Sequence, residues 1–185
     1  VAWHYLAPRM QQGAAVSVLT NSLAATDVPA VHAGYAKRRS ALLRAGVKLF
    51  ELKPDGVAAR SVRMGHRLGG SSAARLRAKT FAIDRRRAFV GSFNLDPRSA
   101  ALNTDSGFVI DSPTLAAHIA NAFEARLAEH AYTLQLDGKG RIEWQDRPSP
   151  GGASRVTHQE PQTPMWKRAM VRVLQEDGHT VAMTG

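Results

Sequence analysis

At 185 residues with 44% apolar content, the chain can bury a real core as one domain, or one domain with a tail. It has no cysteine, which excludes a disulfide framework, a thiolate metal site and a cysteine nucleophile. A formal charge of +10 and a pI near 10.8 favour anionic partners, whether phosphates, phospholipid headgroups or nucleic acid, although a solvated basic surface has the same composition.

Residues 1–13 are weakly helical and end at a glycine. "AAVSVLT" at 14–20 is an apolar run of strand length, and "NSLAATDVPA" follows as a polar loop. Residues 31–45 show helical spacing of apolar side chains, with Gly46 as a stop signal. Residues 47–52 read as the next strand, and strand–helix–strand in this order predicts a parallel βαβ unit. Residues 54–74 are rich in Gly, Ser and Arg and read as loop. Two strands, 76–84 and 88–92, flank a turn made by Arg85, Arg86 and Arg87, and 107–110 is another short strand. Residues 113–129 have strong helical periodicity with Ser112 as N-cap. Residues 132–136 and 141–144 predict a hairpin around "DGKG". Residues 146–164 are rich in Pro, Gly, Ser and Gln and read as a linker or extended strap. "MWKRAMVRVL" at 165–174 is a short basic amphipathic helix. No apolar run approaches the ~20 residues that span a bilayer, and none reads as a secretory signal. The expected class is α/β, a mixed sheet with helices on both faces over 1–145, followed by strap and helix over 146–185.

The chemistry concentrates in "LRAKTFAIDRRRAFVGSFNLDPRSAALNTD", residues 76–105. Alternation puts Arg77, Lys79, Phe81 and Ile83 on one side of the first strand. Ser92 and Asn94 follow the second strand. If the strands are neighbours, two cations and two polar groups converge on one anion. Lysine is a compact point charge and arginine a planar fork suited to phosphate oxygens. Gly91 lets the backbone approach a ligand closely. Asp84 either orients a lysine or caps the turn. On spacing alone, a solvated hairpin turn and an ordinary loop explain the residues equally well.

The stretch resembles the phospholipase D superfamily, whose signature is H-x-K-x4-D-x6-G-S-x-N. Lys79, Asp84, Gly91, Ser92 and Asn94 fall on their places in that pattern, and Asp105 sits where the family usually has an acidic residue. Residues 18–54 also resemble the second half of bacterial cardiolipin-synthase-like members, and the similarity covers most of 18–144. The resemblance implies a phospholipase D-like half in which two motifs face each other. One histidine attacks phosphorus, the other protonates the leaving alcohol, and each lysine and asparagine steadies the phosphoryl oxygens. It implies no metal and no cofactor.

Two features depart from that pattern. Arg77 occupies the place of the family histidine. A guanidinium stays protonated and has no free lone pair, so Arg77 can hold a phosphate but cannot attack it or serve as general acid. None of the seven histidines is followed by x-Lys; His66, on the basic loop, and His32, in "VHAGY", come nearest to a substitute. The second departure is copy number, since one motif is present where the chemistry needs two. The expectation is a carboxy-terminal portion, a truncated product or a decayed copy, completed by an amino-terminal half or by a homodimer.

The predicted activity is therefore that of a phosphodiesterase or phosphatidyltransferase on phospholipids, impaired by Arg77. A non-catalytic binder of anionic phospholipid or phosphate is the alternative reading. A nuclease of the same superfamily weighs least, because aromatics do not interleave with Arg60, Arg63, Arg67, Arg75 and Arg85–Arg87 as base stacking requires. The expected location is cytoplasmic, peripheral at the inner membrane surface. In the terminal helix, one reading puts Trp166, Met170, Val171 and Leu174 on an interface with Lys167, Arg168 and Arg172 toward headgroups; the favoured reading is a short helix packed on the domain.

Overall fold

The computed structural model describes residues 8–26, 29–54, 79–91, 106–146 and 153–177. Contacts divide the chain into two compact units, one of Val1–Ala15 with Leu76–Ala128 and one of Val16–Arg75 with Glu129–Gly185. The α/β expectation holds, with strands gathered into two sheets.

The larger unit is built on a five-stranded mixed sheet. β1 (Ser17–Asn21) and β2 (Lys48–Leu52) run parallel, Ser17 opposite Lys48, joined through α1 (Pro29–Ala36) and α2 (Arg39–Arg44). This is the predicted βαβ unit, except that the single helix expected over 31–45 is two. The Arg38 N–H donates to the Tyr35 carbonyl, a tightened last turn, and the helix restarts at Arg39. Gly46 stops α2 as expected, and its φ of +89° is why a glycine stands there. The Val47 and Gly46 N–H groups donate to the Leu42 and Leu43 carbonyls, satisfying two C-terminal acceptors in a Schellman arrangement.

β6 (Ala131–Leu136) pairs antiparallel with β2, β7 (Ile142–Asp146) with β6, and β8 (Arg155–Thr157) with β7. The "DGKG" hairpin is thus present. Asp137 ties it, accepting from the Lys139 and Arg141 N–H groups at 2.8 Å each. The stretch expected as a strap supplies β8. Register places Leu49 opposite Leu134, Glu51 opposite Tyr132 and Leu134 opposite Trp144. These five side chains share one face, and all are buried. A buried leucine contributes about 1.5–3 kcal/mol, so this face anchors the unit. α4 (Met165–Asp177) packs on α1 through Val171 and Leu174, against Leu23 and Ala33.

The smaller unit holds an antiparallel sheet of β3 (Lys79–Ile83), β4 (Arg87–Gly91) and β5 (Gly107–Asp111), in that order, with α3 (Pro113–His130), whose last two residues fall in the larger unit. Ser112 caps α3 as predicted, its Oγ accepting from the Leu115 N–H at 3.3 Å.

Candidate functional site

The motif rides on the β3–β4 hairpin. Asp84 and Arg85 both have positive φ, 52° and 51°, as a type I′ turn requires, and the Arg86 N–H closes it on the Ile83 carbonyl at 2.9 Å. Aspartate tolerates that region better than most residues. Arg85 clamps the turn onto α3, donating to Asn121 Oδ1 and Glu124 Oε1, both at 2.7 Å. Arg86 and Arg87 lie 3.7 and 3.5 Å from the Asp111 carboxylate. Much of this arginine run is therefore answered by acids of its own unit.

Phe81 and Phe89 stack across the hairpin with centroids 4.7 Å apart, and that pairing fixes the register. In this register Lys79 stands opposite Gly91. The backbone of the family lysine and the start of the Gly-Ser-x-Asn run are brought side by side by the fold. Ser92 and Asn94 follow Gly91 by one and three residues, and Arg77 precedes Lys79 by two. Arg77, Ser92, Asn94 and Asp105 lie outside the described residues, as do His66 and Arg60, Arg63, Arg67 and Arg75.

Asp84 is not brought to the same place. It sits at the far end of β3 from Lys79, about 16 Å along the strand at ~3.3 Å per residue, and serves the turn. Gly91 has a packing reason of its own. A Cβ there would meet the Ser106 carbonyl oxygen at 2.6 Å, Gly107 Cα at 2.7 Å and the Phe89 ring at 2.8 Å. Gly91 and Gly107 face each other across β4 and β5, and the Phe89 ring crowds both positions. The close approach at Gly91 is to a neighbouring strand.

The larger unit holds a buried ionic cluster that sequence reading missed. Arg39 is 3% exposed and Glu51 fully buried. Arg39 Nε lies 3.0 Å from Glu51 Oε1, but off line for a hydrogen bond, so both atoms lack one. Arg39 donates to Glu160 Oε1 at 2.6 Å and makes a short contact with His32 Nε2. The Trp144 indole N–H donates to Glu51 Oε2 at 2.9 Å. The guanidinium lies 5.0 Å from the Tyr35 centroid and 5.3 Å from that of Trp144, within cation–π range.

Burial holds the Glu51 carboxyl above the usual carboxylate range, against the pull of Arg39. Glu160 ends below its usual range: burial pushes it up, but the His32 hydrogen bond and the Arg39 charge outweigh that. Burial lowers Arg39, but Glu51 and Glu160 together carry it upward. Burial, with the Glu51 charge adding, raises the Tyr35 hydroxyl well above its ordinary value. His32, Glu51 and Glu160 bring ligand-type atoms within 4.8 Å of one another, the one arrangement among the described residues with metal-ligand chemistry. Arg39 already touches all three and supplies the cation they face. The cluster joins α1, α2, β2 and the segment after β8, so its role is to fix the βαβ frame. Half of it was legible: His32 and Arg39 are seven apart within the one helix the sequence predicts, although the structure places them on two, and Glu51 alternates with the buried Leu49. Glu160 gave no signal, because it lies 121 residues from Arg39 in a Pro-rich stretch.

A groove of about 520 Å³ in the same unit is lined by Leu43, Gly46, Val47, Phe50 and residues 133–136 and holds no motif residue. No helix among the described residues is long and apolar enough to cross a membrane.

Residues 4–127 match the family described as cardiolipin synthase, PLD-like domain. The chain is 48% identical over 164 residues to cardiolipin synthase C of Escherichia coli (strain K12), covering 89% of this chain and 34% of that protein. It is 32% identical over 113 residues to an uncharacterized protein of Helicobacter pylori (strain ATCC 700392 / 26695), covering 60% of this chain and 21% of that one. The chain therefore spans about a third or less of the length of these relatives. No solved structure matches.

Proposed function

The chain belongs to the cardiolipin synthase, PLD-like domain family, and from that premise we propose that it is one half of a phosphodiester-handling site for phospholipids. Lys79 and Asn94 hold the phosphoryl oxygens, Ser92 adds a polar contact, and Asp105 orients a neighbour. Asp84 acts at a distance, by setting the turn that aligns β3 with β4. The observation that carries this reading is the register: Lys79 opposite Gly91 gathers sequence-distant motif residues at one end of a hairpin.

Chemistry in this site needs a nucleophile with a free lone pair. In the family reaction, an imidazole nitrogen bonds to phosphorus as the P–O bond to one alcohol breaks, and a second imidazole gives that alcohol its proton. Arg77 can do neither, since a guanidinium stays protonated and offers no free lone pair. It can only add a fixed positive charge beside the phosphate. Loss of a covalent nucleophile lowers turnover by several orders of magnitude. The chain as it stands therefore binds the phosphate and does not turn it over. That non-catalytic binding is favoured by one specific residue, Arg77, and needs no second motif.

The test is purified chain on vesicles containing phosphatidylglycerol, beside an Arg77→His variant, with lipid products read by mass spectrometry. The unmodified chain is expected to give no cardiolipin and no released headgroup. The variant, if two copies pair, gains turnover and a phosphohistidine signal in ³¹P NMR. Robust turnover by the unmodified chain refutes the proposal.

A further inference from the structure

α4 carries apolar residues on two adjoining stripes where a packed surface helix needs one. Val171 and Leu174, with the Lys167 stem at i−4 from Val171, form the inner stripe. Val171 is buried, Leu174 packs beside it, and Lys167 Nζ donates to the Thr26 carbonyl at 2.5 Å. Trp166, Ala169, Met170 and Val173, at i, i+3, i+4 and i+7, form the other stripe, with Met165 at its start. Met165 is 79% exposed, Trp166 65%, Met170 43% and Val173 55%, and Ala169 is exposed too. Trp166, Met170, Val171 and Leu174 do not share one surface: Val171 and Leu174 pack inward, while Trp166 and Met170 lie on the adjoining exposed stripe.

We propose that the outer stripe of α4 docks on a bilayer surface carrying anionic phospholipid, with Trp166, Met170 and Val173 entering the headgroup–acyl boundary. The proposal rests on the reading of the chain as a phospholipid-handling half and deepens it by naming the surface that meets the membrane. Three features select a bilayer as occupant. Tryptophan and methionine offer an amphipathic ring and an adaptable thioether, which suit a boundary that is wet on one side. Arg168 and Arg172, four apart, border the stripe; Arg172 is exposed, and Arg168 reaches sideways to Gln159 Oε1 at 2.7 Å. The chain's charge of +10 complements an anionic surface. Thirteen residues span about 20 Å at ~1.5 Å each, enough to lie along an interface and too short to cross it.

Because the chain has no cysteine, a single Val173→Cys takes one environment-sensitive dye, and Lys139→Cys in the β6–β7 turn serves as control. Mixed with vesicles of phosphatidylcholine and phosphatidylglycerol, the chain is expected to cosediment in a salt-sensitive way. The dye at 173 should brighten and shift to the blue while the dye at 139 stays unchanged. Trp166→Ser with Met170→Ser should weaken partitioning about tenfold or more, with the thermal melt unchanged. Cosedimentation with a silent dye at 173 overturns the proposal, as does no binding. A dye response that needs no vesicles and grows with protein concentration assigns the stripe to a second copy and overturns it too. The readout is free of turnover, so a silent Arg77→His variant beside a responsive dye removes the catalytic reading alone.

Discussion

Replacing Arg39 by methionine keeps the length and apolar stem of the side chain and removes its charge. The perturbation strands Glu51, which is fully buried and loses its cation while keeping the Trp144 indole as a hydrogen-bond donor. It also frees Glu160 from its 2.6 Å hydrogen bond to Arg39. Breaking a buried pair by removing one partner costs about 3–5 kcal/mol. The retained indole hydrogen bond places this case at about 3 kcal/mol. For a chain of this size each kcal/mol moves the midpoint by about 2–4 °C, so the melt should fall by roughly 6–12 °C at pH 8. The loss should depend on pH. Burial already holds the Glu51 carboxyl above its ordinary range, and Arg39 is the largest opposing influence. Without Arg39 it rises further, so the folded variant keeps a proton that the unfolded chain gives up. Stability then falls as pH rises from the ordinary glutamate value through the folded one. The deficit relative to the parent is therefore smaller at pH 5 than at pH 8. Thermal melts by far-ultraviolet circular dichroism at both pH values are the assay. Adding Glu51→Gln should recover part of the loss, because it removes the stranded charge. A variant that melts within about 2 °C of the parent at pH 8 would show that the cluster is not a supporting element of the fold.

Gly91→Ala should loosen the small sheet by about 1–3 kcal/mol, because the added methyl meets backbone at 2.6 Å. Hydrogen exchange of β4 and β5 amides reads it, and Gly138→Ala, with nothing within 4 Å of its Cβ, should leave exchange unchanged. Asp137 is held below the usual carboxylate range by the Arg141 N–H and side chain and the Lys139 N–H. A depressed folded pKa gives stability above the ordinary aspartate value that is lost as pH falls through the folded one. The β6–β7 turn should therefore open in acid, and Asp137→Asn should flatten that response in amide exchange. The variants Arg77→His and dye-labelled Val173→Cys, described above, test the site and the membrane face.

Local sequence determined most elements of this protein. The Ser112 cap, the Gly46 stop and the "DGKG" hairpin rest on contacts within a few residues, which periodicity and turn chemistry report directly, while the parallel β1–β2 pair, Ser17 opposite Lys48, was legible from the order of its elements. The resemblance to the phospholipase D signature, rather than spacing alone, grouped Lys79 with Gly91, and the hairpin register sets the two opposite each other. Tertiary structure decided the rest. It put Asp84 at the opposite end of β3 from Lys79, since an extended chain carries residues five apart well out of contact. It drew Glu160 into the Arg39–Glu51 cluster across a sheet, a pairing no local pattern encodes. It also chose which stripe of α4 faces inward. Two adjoining stripes of the helix carry apolar residues, and packing against Leu23 and Ala33 selects the one with Val171 and Leu174.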